Sequence, residues 1–298
     1  MPEVEILTGG KVVETRPLWE EVFVEDTKAF VDYYYSVKAQ KNICFVIRQN
    51  GQIVAMLHLT PYDICVRKQG DADVTSMTFQ EYPTFYIVGV ATLEAYRHRG
   101  YMTLLLQGAF SYSKENGVTF TFLMPANPAI YEPFGFSYIY ERSDYRFCKE
   151  ILWEDRDVQI RKAEEKDCHM LGSYAMDELS EKYQFFLKRD PVYFQTLIKE
   201  LESENGGIYL VYVKGQFAGY FTYARETEEF VQEVLIKKKY ESRLIVVEHG
   251  TKKALLMRYN KMKPIIMAKY LQSNVNIHLC LKEIASGRKK NGFINELV

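Results

Sequence analysis

The sequence has little of what marks a secreted, metal-bound or membrane-spanning chain. Its five cysteines are scattered and form no Cys-x-x-Cys pair, which favours reduced structural thiols over a disulfide framework. The five histidines show no spacing typical of a zinc site. No apolar run is long enough to cross a bilayer, and the first residues lack the basic and apolar regions of a secretion signal. These absences predict a cytoplasmic protein with no metal and no membrane partner.

A large net charge of either sign is also missing. The chain carries 38 lysines and arginines against 39 aspartates and glutamates, for a net charge of −1. Such a balance gives no global field for nucleic acid, so any basic patch is local and no nucleic-acid partner is expected. Hydrophobic residues make up 47% and charged residues 26%, which is typical of a soluble globular protein. At 298 residues the chain is long enough for two domains, each with its own core.

A strand, a basic turn and a helix follow one another in the stretch on which the interpretation depends. Residues 85–92 are a short apolar run rich in aromatic and β-branched residues, which predicts a buried strand. Arg97, His98, Arg99 and Gly100 form the turn. Apolar residues then fall on one helical face, at Met102, Leu105, Leu106 and Ala109. Asn116-Gly117 is predicted to end this helix.

This arrangement is typical of an anion site. The first N–H groups of a helix have no internal partner, and the helix dipole is positive at that end. Backbone amides around Gly100 can therefore converge on a pyrophosphate, because glycine permits a close approach of the backbone. Arg97, His98 and Arg99 add positive charge. The alternative is a basic turn that only caps an ordinary helix.

A second motif downstream suggests a family. Phe120 to Met124 has another buried-strand pattern, and the string Ile130-Tyr131-x-x-Phe134-Gly135-Phe136 follows it. Together with the Arg-x-x-Gly turn, these residues resemble the GNAT superfamily of acyl-CoA N-acyltransferases, and in particular its Eis-like (enhanced intracellular survival) branch. The resemblance implies an α+β fold with tandem GNAT domains, each a mixed, mostly antiparallel sheet flanked by helices.

The resemblance also implies the site. Acetyl-CoA would be the co-substrate, and no metal would be needed. Tyr131 matches the family's general acid, whereas the alternative is an aromatic side chain that packs beside Phe134 and Phe136. His58 lies within a predicted strand and is expected to be structural rather than a base. The residues expected to bind the cofactor are Val90, Ala91, Thr92, Arg97, His98, Arg99, Gly100, Tyr101, Met102, Thr103, Ala126 and Asn127.

Three segments are predicted along the chain. Residues 1–150 would form the catalytic GNAT domain and residues 151–260 a degenerate second GNAT-like domain. Both halves contain a strand, a tight Gly-Gln turn and a strand, at Gly51-Gln52 and at Gly215-Gln216, but the second half has no glycine after its Lys237 turn. Residues 261–298 would begin a truncated sterol-carrier-protein-like segment. Whether the Val298 carboxylate serves as a base, as the resemblance suggests, stays open.

The expected reaction moves an acetyl group from acetyl-CoA to a primary amine. The amine would be aminoglycoside-like, a polyamine or a lysine side chain, in a small molecule or a peptide. The resemblance implies a homo-oligomer as well. Two alternatives from other classes remain, namely a non-catalytic acyl-CoA sensor and an interaction protein.

Overall fold

The computed structural model describes residues 2–68, 79–148, 151–224, 230–247, 254–271 and 292–293. Cys280 and the Val298 carboxylate lie outside these residues, as does most of the predicted 261–298 segment. The strands are β1 (Glu5–Thr8), β2 (Ile43–Gln49), β3 (Gln52–Arg67), β4 (Phe79–Thr92), β5 (Phe120–Leu123), β6 (Ser137–Phe147), β7 (Val158–Lys162), β8 (Phe185–Leu187), β9 (Gly207–Val213), β10 (Gln216–Tyr223), β11 (Phe230–Ile236), β12 (Ile245–Val247), β13 (Leu256–Tyr270) and β14 (Gly292–Phe293). The helices are α1 (Arg16–Val22), α2 (Lys28–Ser36), α3 (Tyr101–Glu115), α4 (Ile151–Glu154), α5 (Cys168–Lys182), α6 (Pro191–Ser203) and α7 (Lys238–Leu244).

The chain divides into two compact units. The described residues of the first unit fall within Met1–Tyr140, Tyr183–Lys188 and Ile265–Val298, and those of the second within Glu141–Lys182 and Arg189–Pro264. The first unit therefore draws residues from three separate stretches of sequence. Within the described residues, no helix is both long enough and apolar enough to span a membrane.

A twisted, mostly antiparallel sheet forms the centre of the first unit. Its strands follow the order β1-β2-β3-β4-β5-β13, and only the β4–β5 contact in this series is parallel. The final strand comes from far along the sequence, because Met267 to Tyr270 pair with Leu123 to Phe120. Beyond the part of β3 that β2 covers, β8 pairs with Ile64 to Val66. The predicted mixed sheet flanked by helices is thus present.

Helices cover both faces of this sheet. On one face α3 packs through Tyr112, whose ring centroid lies 5.8 Å from that of Phe45 on β2. On the other face α1 and α2 contribute Trp19 and Tyr34, which are 3% and 0% exposed and contact His58 on β3. α2 starts after Thr27, whose side chain accepts from the Phe30 amide as an N-cap. Tyr33, Tyr34 and Tyr35 are all buried in this layer.

The second unit has its own antiparallel sheet and its own core. Strands β7, β9, β10 and β11 lie side by side, and β11 pairs with the part of β6 that contains Tyr145 and Arg146. Helix α6 begins at an Asp190 N-cap that accepts from the Tyr193 amide at 2.8 Å. Arg189 and Glu233 form a fully buried ion pair at 3.1 Å, and the Tyr220 hydroxyl donates to the same carboxylate at 2.6 Å.

Candidate functional site

Two neighbouring strands separate at the point where the cofactor residues were predicted. β4 and β5 pair in parallel only at Phe85 with Thr121 and at Tyr86 with Phe122. β4 then continues to Thr92 against β3 alone, while β5 continues to Leu123 against β13. Within the described residues, the β5-facing edge of β4 after Tyr86 therefore has no strand partner. Val90, Ala91 and Thr92 lie on this open edge, so their backbone groups can pair with an extended ligand.

A β-bulge shapes the same edge. His58 pairs with Val88 and Met56 pairs with Ala91, so β4 uses one more residue than β3 across this interval. The bulge contains Gly89, which has a φ of +60°. Trp19 packs directly beneath it, since a Cβ built on Gly89 would lie 2.4 Å from Cζ3 of Trp19. Glycine at this position is therefore required both by the left-handed backbone and by the indole below it.

The turn after β4 ends at the start of helix α3. Gly100 is the N-cap, with a left-handed backbone at φ 77° and ψ 9°, and His98 also has a positive φ of 61°. The first bond of the helix runs from the Leu104 amide to the Gly100 carbonyl at 3.2 Å. The amides of Tyr101, Met102 and Thr103 precede that bond, so they are the N–H groups a helix leaves for an outside acceptor. The positive end of the 15-residue helix lies at the same place.

Both arginines of the turn hold the loop in shape. Arg97 Nε donates to the Thr92 carbonyl at 3.2 Å, and Arg99 Nη2 donates to the Ala95 carbonyl at 2.9 Å. The Arg99 guanidinium also lies 5.0 Å from the ring centroid of Tyr96, within the range of a cation–π contact. Arg97, His98, Arg99 and Gly100 are all exposed. The structure thus brings three basic side chains and the start of α3 together at one exposed corner.

Tyr131 lies between two short 3₁₀ turns that follow β5. The first covers Pro128–Ile130 and the second Glu132–Phe134, and Gly135 ends them with a φ of 82°. The Tyr131 carbonyl accepts from the Phe134 amide at 3.0 Å and from the Phe136 amide at 3.4 Å. These bonds fix the backbone of Tyr131 inside a compact turn, which we call the Tyr131 turn (residues 128–136).

The ring of Tyr131 is half-buried against aromatic neighbours. Its centroid lies 5.9 Å from that of Phe136 in an edge-to-face arrangement, and Phe136 in turn lies 6.0 Å from Phe110 on α3. Burial raises the pKa of the Tyr131 phenol above its ordinary value of 10, so the phenol carries its proton at neutral pH. No hydrogen bond to its hydroxyl is present among the described residues. Packing against aromatic neighbours and donating a proton are therefore compatible roles for the Tyr131 side chain.

Ala126 and Asn127 lie between β5 and the Tyr131 turn, and both are exposed. Asn127 caps the first 3₁₀ turn, because its Oδ1 accepts from the Ala129 amide at 3.1 Å. Its Nδ2 group is still able to donate to a ligand.

His58 lies in the core beneath the site rather than in it. Its ring is fully buried and burial lowers its pKa from 6.5 to about 3. Nδ1 lies 3.0 Å from the Tyr34 hydroxyl, which is also 3.0 Å from Asn42 Nδ2. A neutral imidazole packed against Trp19 suits the structural role that the sequence favoured over a base.

Three features of this site were not anticipated from sequence. A glycine within an apolar strand pattern, such as Gly89, indicates a β-bulge, so the bulge could have been predicted. The separation of β4 from β5 has no such signal, because it depends on strand pairing. Lys269 on β13 reaches the Tyr131 turn and donates to the Phe134 carbonyl, and the 135 intervening residues give no pattern that joins the two.

Comparison with known proteins identifies the first part of the chain. Residues 3–139 match the family model of the acetyltransferase (GNAT) domain. No curated protein matches the sequence.

Several solved structures share the fold at low sequence identity. A probable N-acyltransferase from Enterococcus faecalis V583 is 13% identical, with a TM-score of 0.65 over 91% of this chain and 73% of its own. A GCN5-related N-acetyltransferase from Kribbella flavida is 16% identical, with a TM-score of 0.61 over 90% of this chain and 72% of its own. Eis1 from Mycobacterium abscessus is 9% identical, with a TM-score of 0.60 over 91% of this chain and 74% of its own. At these identities the likeness concerns the fold.

The predicted fold class is therefore confirmed, and so is the predicted enzyme class. The open edge of β4, the glycine turn and the start of α3 all lie within the matched residues. Residues 3–139 match the GNAT acetyltransferase domain, and this match supports an acyltransferase.

Proposed function

We propose that this protein transfers an acetyl group from acetyl-CoA to a primary amine, with Tyr131 as the general acid. The open β4 edge that leads into the Gly100 turn carries the proposal, since it supplies strand-type backbone groups and then unpaired helix amides in one continuous path. Acetyl-CoA has the matching sequence of groups, namely an amide-containing pantetheine arm followed by a pyrophosphate. No metal is part of the proposal.

The cofactor would bind along this path. The pyrophosphate would accept from the amides between His98 and Thr103, where the positive end of α3 favours an anion. The pantetheine arm would pair with Val90, Ala91 and Thr92 as an added strand. The exposed Ala126 and Asn127 would flank the arm on the β5 side. Arg97 and Arg99, already anchored to loop carbonyls, would add positive charge with little loss of side-chain entropy.

The chemical step needs one proton donor on the leaving group. A neutral amine attacks the thioester carbonyl carbon, the tetrahedral intermediate collapses, and the carbon–sulfur bond breaks. The thiolate takes the phenolic proton of Tyr131, and the amine nitrogen loses one proton to solvent. A proton from solvent must then return to Tyr131 before the next turnover. An ordinary phenol of pKa about 10 is a weaker acid than an ordinary thiol of about 8.5. Burial raises the pKa of the Tyr131 phenol further, so this proton transfer is uphill and depends on the site to favour it.

The tandem Eis-like organisation is part of the same proposal. β2 and β3 of the first unit join through a turn with two left-handed residues, Asn50-Gly51, and β9 and β10 of the second unit join through a similar turn, Lys214-Gly215. Two helices, α1 and α2, lie between β1 and the first hairpin, and two helices, α5 and α6, lie between β7 and the second. The helix after β11 has only seven residues and no glycine cap, so the second unit would bind no cofactor. Residues 1–150 and 151–260 stay the proposed domain limits.

The test measures release of CoA thiol from acetyl-CoA across aminoglycosides, polyamines and lysine peptides, with the Tyr131→Phe variant beside the native protein. Release should depend on one class of amine. The variant should lose about 10²-fold or more in kcat, because general acid catalysis contributes about 10²–10⁴-fold. Its dissociation constant for acetyl-CoA should change less than about twofold, since the phenol makes no ground-state contact in the proposal.

Two outcomes would contradict the proposal. Full activity of the Tyr131→Phe variant would remove Tyr131 from the mechanism while leaving the acyltransferase intact. Tight binding of acetyl-CoA without release in the presence of any amine would favour the sensor alternative. A Tyr138→Phe variant serves as the control, because Tyr138 is a half-buried phenol near the same turn and is given no role.

A further inference from the structure

A lysine from the last described strand of the first unit reaches the Tyr131 turn. Lys269 lies on β13, opposite Thr121 of β5 in the antiparallel register. Its ammonium donates to the carbonyl of Phe134, the last residue of the second 3₁₀ turn. The family model ends at residue 139, so this contact comes from a part of the chain that the model does not include.

The position suits a cation for two reasons. The carbonyl at the end of a helical turn has no backbone donor, and a charged donor there makes a strong, charge-assisted bond. Gly135 leaves the room for it, because a Cβ at that residue would lie 3.2 Å from the Lys269 Nζ. Burial and the charge of Lys114 lower the pKa of Lys269, so the ammonium sits where it is partly removed from water.

Lys269 also joins the Tyr131 turn to the cofactor helix. Its Nζ lies 5.0 Å from the ring centroid of Phe110 on α3, within the range of a cation–π contact. Phe110 contacts Phe136, and Phe136 contacts Tyr131 edge to face. One ammonium therefore contacts both the turn that carries the acid and the helix whose first residues form the basic corner.

We propose that Lys269 is a positioning residue, which anchors the Phe134 carbonyl and thereby holds Tyr131 in place for proton transfer. The inference rests on the proposed role of Tyr131. The phenol must reach the sulfur of a cofactor that is bound to β4 and α3, so its distance from α3 has to be fixed. Contacts within the turn fix the backbone locally, and Lys269 fixes the turn relative to α3.

The experiment compares Lys269→Met and Lys269→Arg with Lys263→Met, each in the native and the Tyr131→Phe background. Lys263 is the control because it lies on the same strand, has a side chain 60% exposed and pairs with Asp144. In the native background Lys269→Met should lower kcat about tenfold, with KM for acetyl-CoA changed less than about twofold. Lys269→Arg should retain most of the activity. In the Tyr131→Phe background Lys269→Met should cause no further loss, because the two residues act as a unit.

Amide hydrogen exchange tests the anchor without any activity measurement. In Lys269→Met the amides of Phe134 and Phe136 should exchange about tenfold faster than in the native protein, and in Lys263→Met they should not change. If Lys269→Met fails to fold, Lys269→Gln replaces it, since the glutamine side chain is neutral and shorter than that of lysine.

The outcomes separate this inference from the proposed function. Unchanged exchange at the turn in Lys269→Met would refute the anchor, whatever the kinetics. An equal loss of kcat in both backgrounds would show that Lys269 acts on the fold rather than through Tyr131. Full activity of Tyr131→Phe alone would instead refute the role of Tyr131, and with it the catalytic consequence of the anchor.

Discussion

Replacing Gly89 by alanine should destabilise the first unit far more than the same change at another left-handed glycine. Gly89 has a φ of +60°, and the indole of Trp19 occupies the space where a side chain would lie, with Cζ3 2.4 Å from the position of a Cβ. Trp19 is 3% exposed and its Nε1 donates to Asp26 at 2.7 Å, so the ring has little freedom to move away. The alanine methyl would therefore force a shift of the bulge or of α1.

The expected loss of stability in Gly89→Ala has two parts. A non-glycine residue in the left-handed region costs about 1–2 kcal/mol, reduced by about 0.4–1 kcal/mol because alanine restricts the unfolded chain. Overpacking of a filled core adds about 1–3 kcal/mol. We expect Gly89→Ala to lower the free energy of unfolding by about 2–4 kcal/mol. Gly117→Ala is the matched control, since Gly117 has a φ of +75° with no atom within 4 Å of its Cβ position. It should cost about 1 kcal/mol or less.

Urea unfolding of both variants and of the native protein measures these differences, with tryptophan fluorescence reporting on the environment of Trp19. The bulge also sets the open edge of β4, so Gly89→Ala should raise KM for acetyl-CoA while Gly117→Ala leaves it unchanged. Equal destabilisation by the two alanines would refute the argument from Trp19. A destabilised Gly89→Ala protein with native KM would show that the bulge does not shape the cofactor path.

Two further predictions concern buried charge. The pKa of His58 is about 3 in the folded protein against 6.5 unperturbed, so the unfolded chain binds the proton first and stability falls as the pH drops from 6.5 towards 3. At about 1.4 kcal/mol per pH unit the loss of stability reaches up to about 5 kcal/mol. His58→Gln should flatten the urea-measured stability profile in this pH range, and identical profiles for the native and His58→Gln proteins would contradict this. Arg189→Met should destabilise the second unit by about 3–5 kcal/mol, because it leaves the Glu233 carboxylate buried without its cation. Thermal unfolding of Arg189→Met beside Arg189→Met/Glu233→Leu tests this, since the double variant should recover much of the loss.

Local chemistry made much of the fold predictable. The helix predicted from Met102 and ended by Asn116-Gly117 spans Tyr101–Glu115, and Gly117 has the positive φ expected of such an end. The hairpin at Asn50-Gly51 and the Asp190 N-cap of α6 also follow from residues within a few positions of each other. In each case the signal lies in a turn residue or a short apolar repeat, which acts over the same distance as the structure it specifies.

Features that depend on distant pairing were not predictable in this way. The sequence pattern predicts two separate strands, Ile53–Leu59 and Tyr62–Val66, whereas β3 is continuous through Pro61. Pro61 is tolerated because it falls between two partner strands on one edge of β3, where pairing with β2 stops at Leu59 and pairing with β8 starts at Ile64. The three-residue β8 has too short a pattern to be recognised.

The same limit applies to the candidate site. The cofactor residues lie close to one another in sequence, and they were named from a motif. Lys269 and the partner strand of β5 come from more than a hundred residues away, and only the folded sheet brings them beside Tyr131. Residues 265–270 complete the first unit's sheet. That residues 261–298 begin a sterol-carrier-like segment stays a prediction.

Direct detection of the acetylated product tests the central claim most closely. The native protein is incubated with acetyl-CoA and the amine that gives the fastest thiol release, and the amine is then analysed by mass spectrometry. The account predicts one acetyl group on the amine nitrogen, formed in step with the thiol and about 10²-fold more slowly by Tyr131→Phe. Thiol release with an unmodified amine, or no product from any amine despite bound acetyl-CoA, would contradict it.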